Sequence, residues 1–232
     1  MATSRTIQRV IIVVLMLFIL WQLSPLRDPH TKWLTFAIGV TFLCLLLGLR
    51  LFYARRVAGK VFQRLPATIS FIQEPSASWK KMGEGDRAFE ELEAMRFVPI
   101  GIFRIPELGI LASGFVREED QLAALVFELP GVTRWVEVFL EYQNGDSLSV
   151  SNAQLSSGLD SMPGERSVNQ KGLSVRQVVE RIRLERGAGL ARTIRASDLT
   201  RLYREAYRRK QEWRRSRGGI TTEEALRMTR LR

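Results

Sequence analysis

Apolar positions follow two regimes along the chain. Between Val10 and Leu23 (VIIVVLMLFILWQL) only Gln22 is polar, and between Trp33 and Phe52 the only charge is Arg50, near the end. A helix rises about 1.5 Å per residue, so some twenty apolar residues match a hydrocarbon core of roughly 30 Å. This pattern predicts a transmembrane hairpin over 1–53, with helices at about 8–26 and 33–53. A cleaved signal peptide is the alternative for the first segment. Against it, Ser24-Pro25-Leu26-Arg27-Asp28 lacks a small-residue cleavage pattern, and a second apolar segment follows closely. Trp21 and Trp33 fall where interfacial aromatics are expected.

Beyond Phe52 the pattern becomes that of a globular domain. Val57, Val61 and Leu65 recur every fourth residue and continue a helix through a basic juxtamembrane segment, 54–66, which Pro66 ends. Thr68 to Gln73 is β-rich. Asp86 is placed to cap a helix from Arg87 to Phe97, with Ala88, Phe89, Leu92 and Met95 on its apolar face. Five strands are predicted next: Ile100–Ile105, Gly109–Arg117, Gln121–Leu129, Thr133–Tyr142 and Ser147–Asn152. Short turns between them favour antiparallel pairing. A three-residue Gln143-Asn144-Gly145 loop, with Gly145 left-handed, would oppose Leu140 to Leu148 and Val138 to Val150. The stretch 153–172 has little periodicity and reads as a long loop. Three helices close the chain. Ser174-x-x-Gln177 caps the first; Ser197 or Asp198 caps a long second that Gly218-Gly219 stops; Thr221-x-x-Glu224 caps the third. The predicted architecture is α+β: the two-helix transmembrane hairpin, then a cytoplasmic antiparallel sheet backed by helices over 67–232.

Composition refines this picture. With one Cys (Cys44) and one His (His30), the chain can form no internal disulfide and no Cys/His zinc site, and any Ser-His-Asp triad would need His30. No cofactor or metal site is expected. Charge is uneven: residues 65–172 hold 9 basic and 16 acidic side chains, net −7, and residues 173–232 hold 17 basic and 7 acidic, net +10. Arg5 and Arg9 precede the first apolar segment, Arg27 and Lys32 lie between the two, and Arg50, Arg55, Arg56, Lys60 and Arg64 follow. Lys and Arg resist translocation, so this distribution predicts a multi-pass protein of the inner membrane with both termini cytoplasmic.

The long helix carries Leu199, Leu202, Tyr203, Ala206, Tyr207 and Trp213 near one stripe, and Arg201, Arg204, Arg208, Arg209, Lys210, Arg214, Arg215 and Arg217 on its other faces. A helix packing its aromatic stripe on the sheet, with solvated arginines outside, accounts for this. The functional alternative sets Arg55, Arg56, Lys60, Arg64, Arg208, Arg209, Arg214 and Arg215 against anionic lipid headgroups. Nucleic acid is a weaker partner, because no base-reading module accompanies the basic face. A protein partner, or self-association through the transmembrane helices, completes the expected partners.

Candidate chemistry is sparse. Gly83-Glu84-Gly85-Asp86 lacks the Lys-Ser/Thr of a phosphate loop and carries carboxylates that would repel phosphate. Glu118-Glu119-Asp120 reads as a solvated hairpin tip. Asp160, Glu165 and Arg166 are ligand candidates because they lie in the long loop. Two functions follow: a membrane-anchored cytoplasmic binding or scaffolding module, or a membrane-bound enzyme using carboxylate or serine chemistry through Asp160, Glu165 or Ser78. A deep pocket with converging polar groups and shifted acidities would favour the enzyme, and a shallow apolar groove the binding module.

Glu91-Leu92 through Phe97, Pro99-Ile100-Gly101-Ile102-Phe103, Glu141 to Asp146 with Ser151-Asn152, and Glu212-Trp213-Arg214 ahead of Gly218-Gly219 together resemble an uncharacterised bacterial family. The resemblance implies a small, often membrane-associated α+β protein and carries no catalytic residues with it.

Overall fold

The structure is a computed structural model that describes residues 33–34, 36–46, 48–49, 52, 56, 65–74, 84–129, 133–153 and 158–230. The chain divides into two compact units, Met1–Val57 and Ala58–Arg232.

In the first unit the longest unbroken described helical run is 36–46, where the Thr41 hydroxyl donates to the Ala37 carbonyl at 2.8 Å. Among the described residues no helix is long and apolar enough to cross a membrane. This overturns the transmembrane hairpin, and with it the multi-pass inner-membrane location and the cytoplasmic orientation deduced from flanking charge. The segment expected at about 8–26 lies outside the described residues, as does most of the expected helix over 54–66.

The second unit is built on one seven-stranded sheet in chain order: β1 (Ile72–Gln73), β2 (Val98–Ile105), β3 (Ile110–Arg117), β4 (Leu122–Leu129), β5 (Thr133–Glu141), β6 (Ser147–Ser151) and β7 (Glu165–Asn169). Its helices are α1 (Glu84–Ala94), α2 (Val175–Glu185), α3 (Leu199–Ser216), preceded by a 3-10 turn Ala196–Asp198, and α4 (Thr222–Arg230). The α+β class therefore holds, but the sheet is mixed rather than antiparallel. Strands β1 to β6 pair antiparallel, while β7 runs parallel to β6. The connection over 152–164 is long enough for the crossover that a parallel neighbour requires. β7 falls inside the stretch expected to be a loop. Its sequence, ERSVN, is an edge strand with one apolar side chain, too little for a period-two signal.

Several local expectations hold. Leu140 opposes Leu148 and Val138 opposes Val150. The hairpin closes with the Gly145 amide donating to the Tyr142 carbonyl at 3.0 Å and Gly145 at φ +87°. The Ser174–Gln177 capping box is formed in both directions, at 3.3 and 2.9 Å. α3 ends in a Schellman motif: the Gly218 amide donates to the Arg215 carbonyl at 3.0 Å and the Gly219 amide to the Arg214 carbonyl at 2.8 Å. At α1 the helix starts two residues before the expected Asp86 cap.

Strand composition dictates the layers. β4 (LAALVFEL) is apolar at both parities and is buried on both faces. Leu122, Ala124 and Val126 join Phe115, Val136, Val138, Leu140, Leu148 and Val150 beneath α1 and α2, which contribute Leu92, Val175, Val178, Val179 and Ile182. Ala123, Leu125 and Phe127 join Ala112 and Ile194 on the opposite face, where α3 contributes Leu199 and Leu202. Towards β5 and β6 this second face changes character. Their alternate positions read Trp135, Glu137, Phe139, Glu141 and Ser147, Ser149, Ser151, so α3 leaves an apolar floor and passes over a polar one.

Candidate functional site

Three serines in a row on one strand face are too short to reach a helix packed over them. Between the C-terminal half of α3 and the β5–β7 face lies a cavity of about 590 Å³. Trp135, Phe139, Leu202, Tyr203 and Tyr207 line one part of it. Ser147, Ser149, Ser151, Ser167 and Asn169 line another, and residues Gly158 to Met162 of the crossover connection form a wall. Phe139 and Tyr203 meet at 5.6 Å between ring centroids and Phe127 and Tyr203 at 5.8 Å, which fixes Tyr203 in the aromatic cluster.

Most charges in the cavity are matched. Glu165, at the start of β7, is ion-paired with Lys210 of α3 and accepts from the Met162 amide at 3.2 Å. Asp160 binds Arg217 at 3.2 Å and Arg227 of α4. Glu141 is clamped by Arg209 at 2.6 Å and Arg192 at 3.2 Å. Glu224, 0% exposed, accepts from the Thr221 amide at 2.7 Å and the Asp160 amide at 2.8 Å, and pairs with Arg217. This cluster ties the crossover connection to α3 and α4.

Two carboxyls are shifted in opposite directions. Burial pushes Glu137 up; Lys210 and the Tyr203 hydroxyl, which donates to Glu137 Oε2 at 3.2 Å, oppose the shift without cancelling it. At Glu224 burial would also raise the value, but the amides of Asp160 and Thr221, the Thr221 side chain and Arg217 outweigh it and hold the carboxyl below the ordinary range. Burial and the neighbouring Glu137 together place the Tyr203 phenol well above its usual value.

Arg214 differs from every other buried cation at the site. It is 3% exposed, lines the cavity, and forms no ion pair and no side-chain hydrogen bond among the described residues. Its Nε is buried without a partner. Arg117, Arg209 and Arg217 share that last feature, but each satisfies a protein acceptor through another nitrogen, on the Met95 carbonyl, Glu141 and Asp160 respectively. Burial lowers the proton affinity of Arg214, while Glu165 and Glu224 oppose that from a distance; a guanidinium stays cationic under such shifts. Gln211, three residues earlier on the same helix face, is also 3% exposed, lines the cavity and makes no side-chain hydrogen bond among the described residues.

The expected site residues scatter. Arg55, Lys60, Arg64 and Ser78 lie outside the described residues, and Arg56 is an exposed helical residue of the first unit. Arg208 pairs with Glu212 at 2.9 Å, and Arg215 is exposed. Arg209 and Arg214 turn inward, so the basic residues of α3 do not form one outward face. Of the loop candidates, Asp160 and Glu165 reach the cavity, while Arg166 turns to Glu185. Glu137, Gln211, Tyr203 and the alternating serines complete the site. The serines are visible in the sequence as the positions opposite in parity to Leu148 and Val150. Among the described residues no three His, Cys, Asp or Glu side chains converge as a metal site. No protein-family model, curated protein or solved structure matches this chain.

Proposed function

We propose that the unit Ala58–Arg232 is a binding module that holds a small organic molecule in the cavity between α3 and the β5–β7 face. The observation that carries this reading is a cavity of about 590 Å³ whose wall is aromatic and aliphatic on one side and hydrogen-bonding on the other. Sites of some 300–1,000 Å³ with a mainly apolar lining and a few placed polar groups are those that enclose small ligands. The charged groups favour binding over catalysis. Asp160, Glu165 and Glu141 are each neutralised by a cation at hydrogen-bond range, which removes them as free bases or nucleophiles.

One observation favours a second reading. Glu137 is a carboxyl held up by burial, on the cavity, beside Lys210, and a group so placed is suited to pass a proton to a bound molecule. Binding comes first in either case.

The test is equilibrium fluorescence titration of the full chain with N-phenyl-1-naphthylamine, a neutral apolar probe, alongside Ala206→Trp. Ala206 lines the cavity, and an indole there fills it. Saturable one-to-one binding that A206W abolishes is the expected result. A titration that is unsaturable, or unchanged by A206W, overturns the proposal.

A further inference from the structure

Resting on the cavity's reading as a ligand site, we infer that its ligand is a monocarboxylic acid with an apolar body, its carboxylate seated on Arg214 and Gln211. Both side chains are 3% exposed, both line the cavity, and neither has a protein partner among the described residues. A buried guanidinium without an anion is costly, and folded chains pair such groups or give them a ligand. Here the nearby protein carboxylates are already taken. Glu165 is held by Lys210, and Glu224 by two amides and Arg217.

The charge of the seat selects a monoanion. Lys210 answers Glu165; Arg227 and Arg217 answer Asp160; Arg209 and Arg192 answer Glu141. Among the cations that line the cavity, Lys210 and Arg227 are ion-paired and Arg214 is not. A single unpaired guanidinium is matched by the single charge of a carboxylate. Geometry agrees: the planar fork of arginine matches the two oxygens of a carboxylate, and a carboxamide beside it adds a further donor.

The seat is also held in place. Arg214 and Gln211 are three residues apart on α3, and the Arg214 carbonyl is fixed by the Gly219 amide at 2.8 Å. From that end the cavity runs along Trp135, Phe139, Leu159, Met162, Leu202 and Tyr207, which supply the wall for an apolar body.

The experiment is competition against N-phenyl-1-naphthylamine on the full chain, using octanoate, 1-octanol, octyl phosphate and acetate. Octanoate is expected to displace the probe with an apparent Kd at least tenfold below those of octanol and octyl phosphate, and acetate to compete weakly. Arg214→Gln is expected to bring octanoate and octanol within twofold of each other. It removes an unanswered buried charge, so it should melt at or above the wild-type temperature. Arg214→Lys, which keeps the charge and loses the fork, should retain part of the preference for the acid. The inference is overturned if octanol competes as well as octanoate, if octyl phosphate binds more tightly than octanoate, or if R214Q keeps the preference. Absence of any A206W-sensitive probe binding would instead defeat the reading of the cavity on which it rests.

Discussion

The Gly219 amide donates to the Arg214 carbonyl at 2.8 Å, so a buried residue that lines the cavity also supplies the carbonyl that terminates α3. Helix ending and site construction are one event here. Gly218, at φ +83°, turns the chain through the left-handed region that a side chain disfavours, and α4 then folds back to bring Arg227 onto Asp160. Four relationships of this kind give measurable consequences.

Glu224 is the hub that joins α4, α3 and the crossover connection, through Thr221, Arg217 and the Asp160 amide. Glu224→Gln keeps one acceptor and places an amide group against donors. A loss of about 2–4 kcal/mol in urea denaturation is expected, within the range for breaking a buried, hydrogen-bonded charge. A destabilisation below about 0.5 kcal/mol would mean that the cluster does not hold the connection, that being the scale of an ordinary surface substitution.

The pH dependence of Glu224 and Glu137 has opposite signs. Glu224 is held below the ordinary carboxyl value, so its contribution is present above about pH 4.3 and is lost as pH falls through its folded value. Glu137 is raised, so the folded state binds its proton more tightly and stability falls as pH rises from about 4.3 through its folded value. Glu137→Gln removes that decline and keeps an acceptor for Tyr203. The stability of E137Q minus that of wild type should therefore grow from acid toward neutral pH in urea titrations; a constant difference contradicts the assignment.

Filling the cavity should cost little. Ala206 borders open volume, so Ala206→Trp does not force the core apart as an added side chain does at a close-packed position. Calorimetry should place its melting temperature within about 4 °C of wild type, the shift that ~1 kcal/mol produces in a domain of this size. A much larger fall would show that this space is closed in solution.

Asn152 stitches β5 to the segment leading into α2. Its Oδ1 accepts from the Val136 amide at 2.7 Å and its Nδ2 donates to the Leu173 carbonyl at 2.9 Å. Asn152→Ala leaves both groups unanswered and should destabilise by about 1–3 kcal/mol. Asn152→Asp keeps an acceptor for the Val136 amide but sets a carboxylate oxygen against the Leu173 carbonyl, so it should destabilise at least as much as Asn152→Ala in the same urea series.

Much of the α+β unit was legible where one local rule acted alone, though the expected caps at Asp86 and at Ser197 or Asp198 do not form: one helix starts at Glu84, and Asp198 makes no capping bond. Capping residues at Ser174 and Thr221, the Gly145 loop and the parity of Leu148 and Val150 each carry their information within a few residues, and the structure has them as the pattern predicts. β7 was not legible, because an edge strand with one apolar side chain is specified by its partner strand rather than by its own period. Composition predicts a membrane-spanning helix over 33–52, yet among the described residues no helix is long and apolar enough to cross a membrane.

Periodicity alone placed Arg209, Lys210 and Arg214 among the outward basic residues of the long helix, because a helical wheel knows only that a residue is polar. What lies opposite is decided by the sheet. β3 and β4 offer an apolar floor to Leu199 and Leu202, while β5 to β7 offer carboxylates and serines to the next two turns. A cation is stable facing inward only where the facing surface is polar. The amino-acid order determined five of the strands, the caps at Ser174 and Thr221, and the end of α3. The burial of Arg214, and the cavity it lines, followed only when α3 was laid across strands from the middle of the chain.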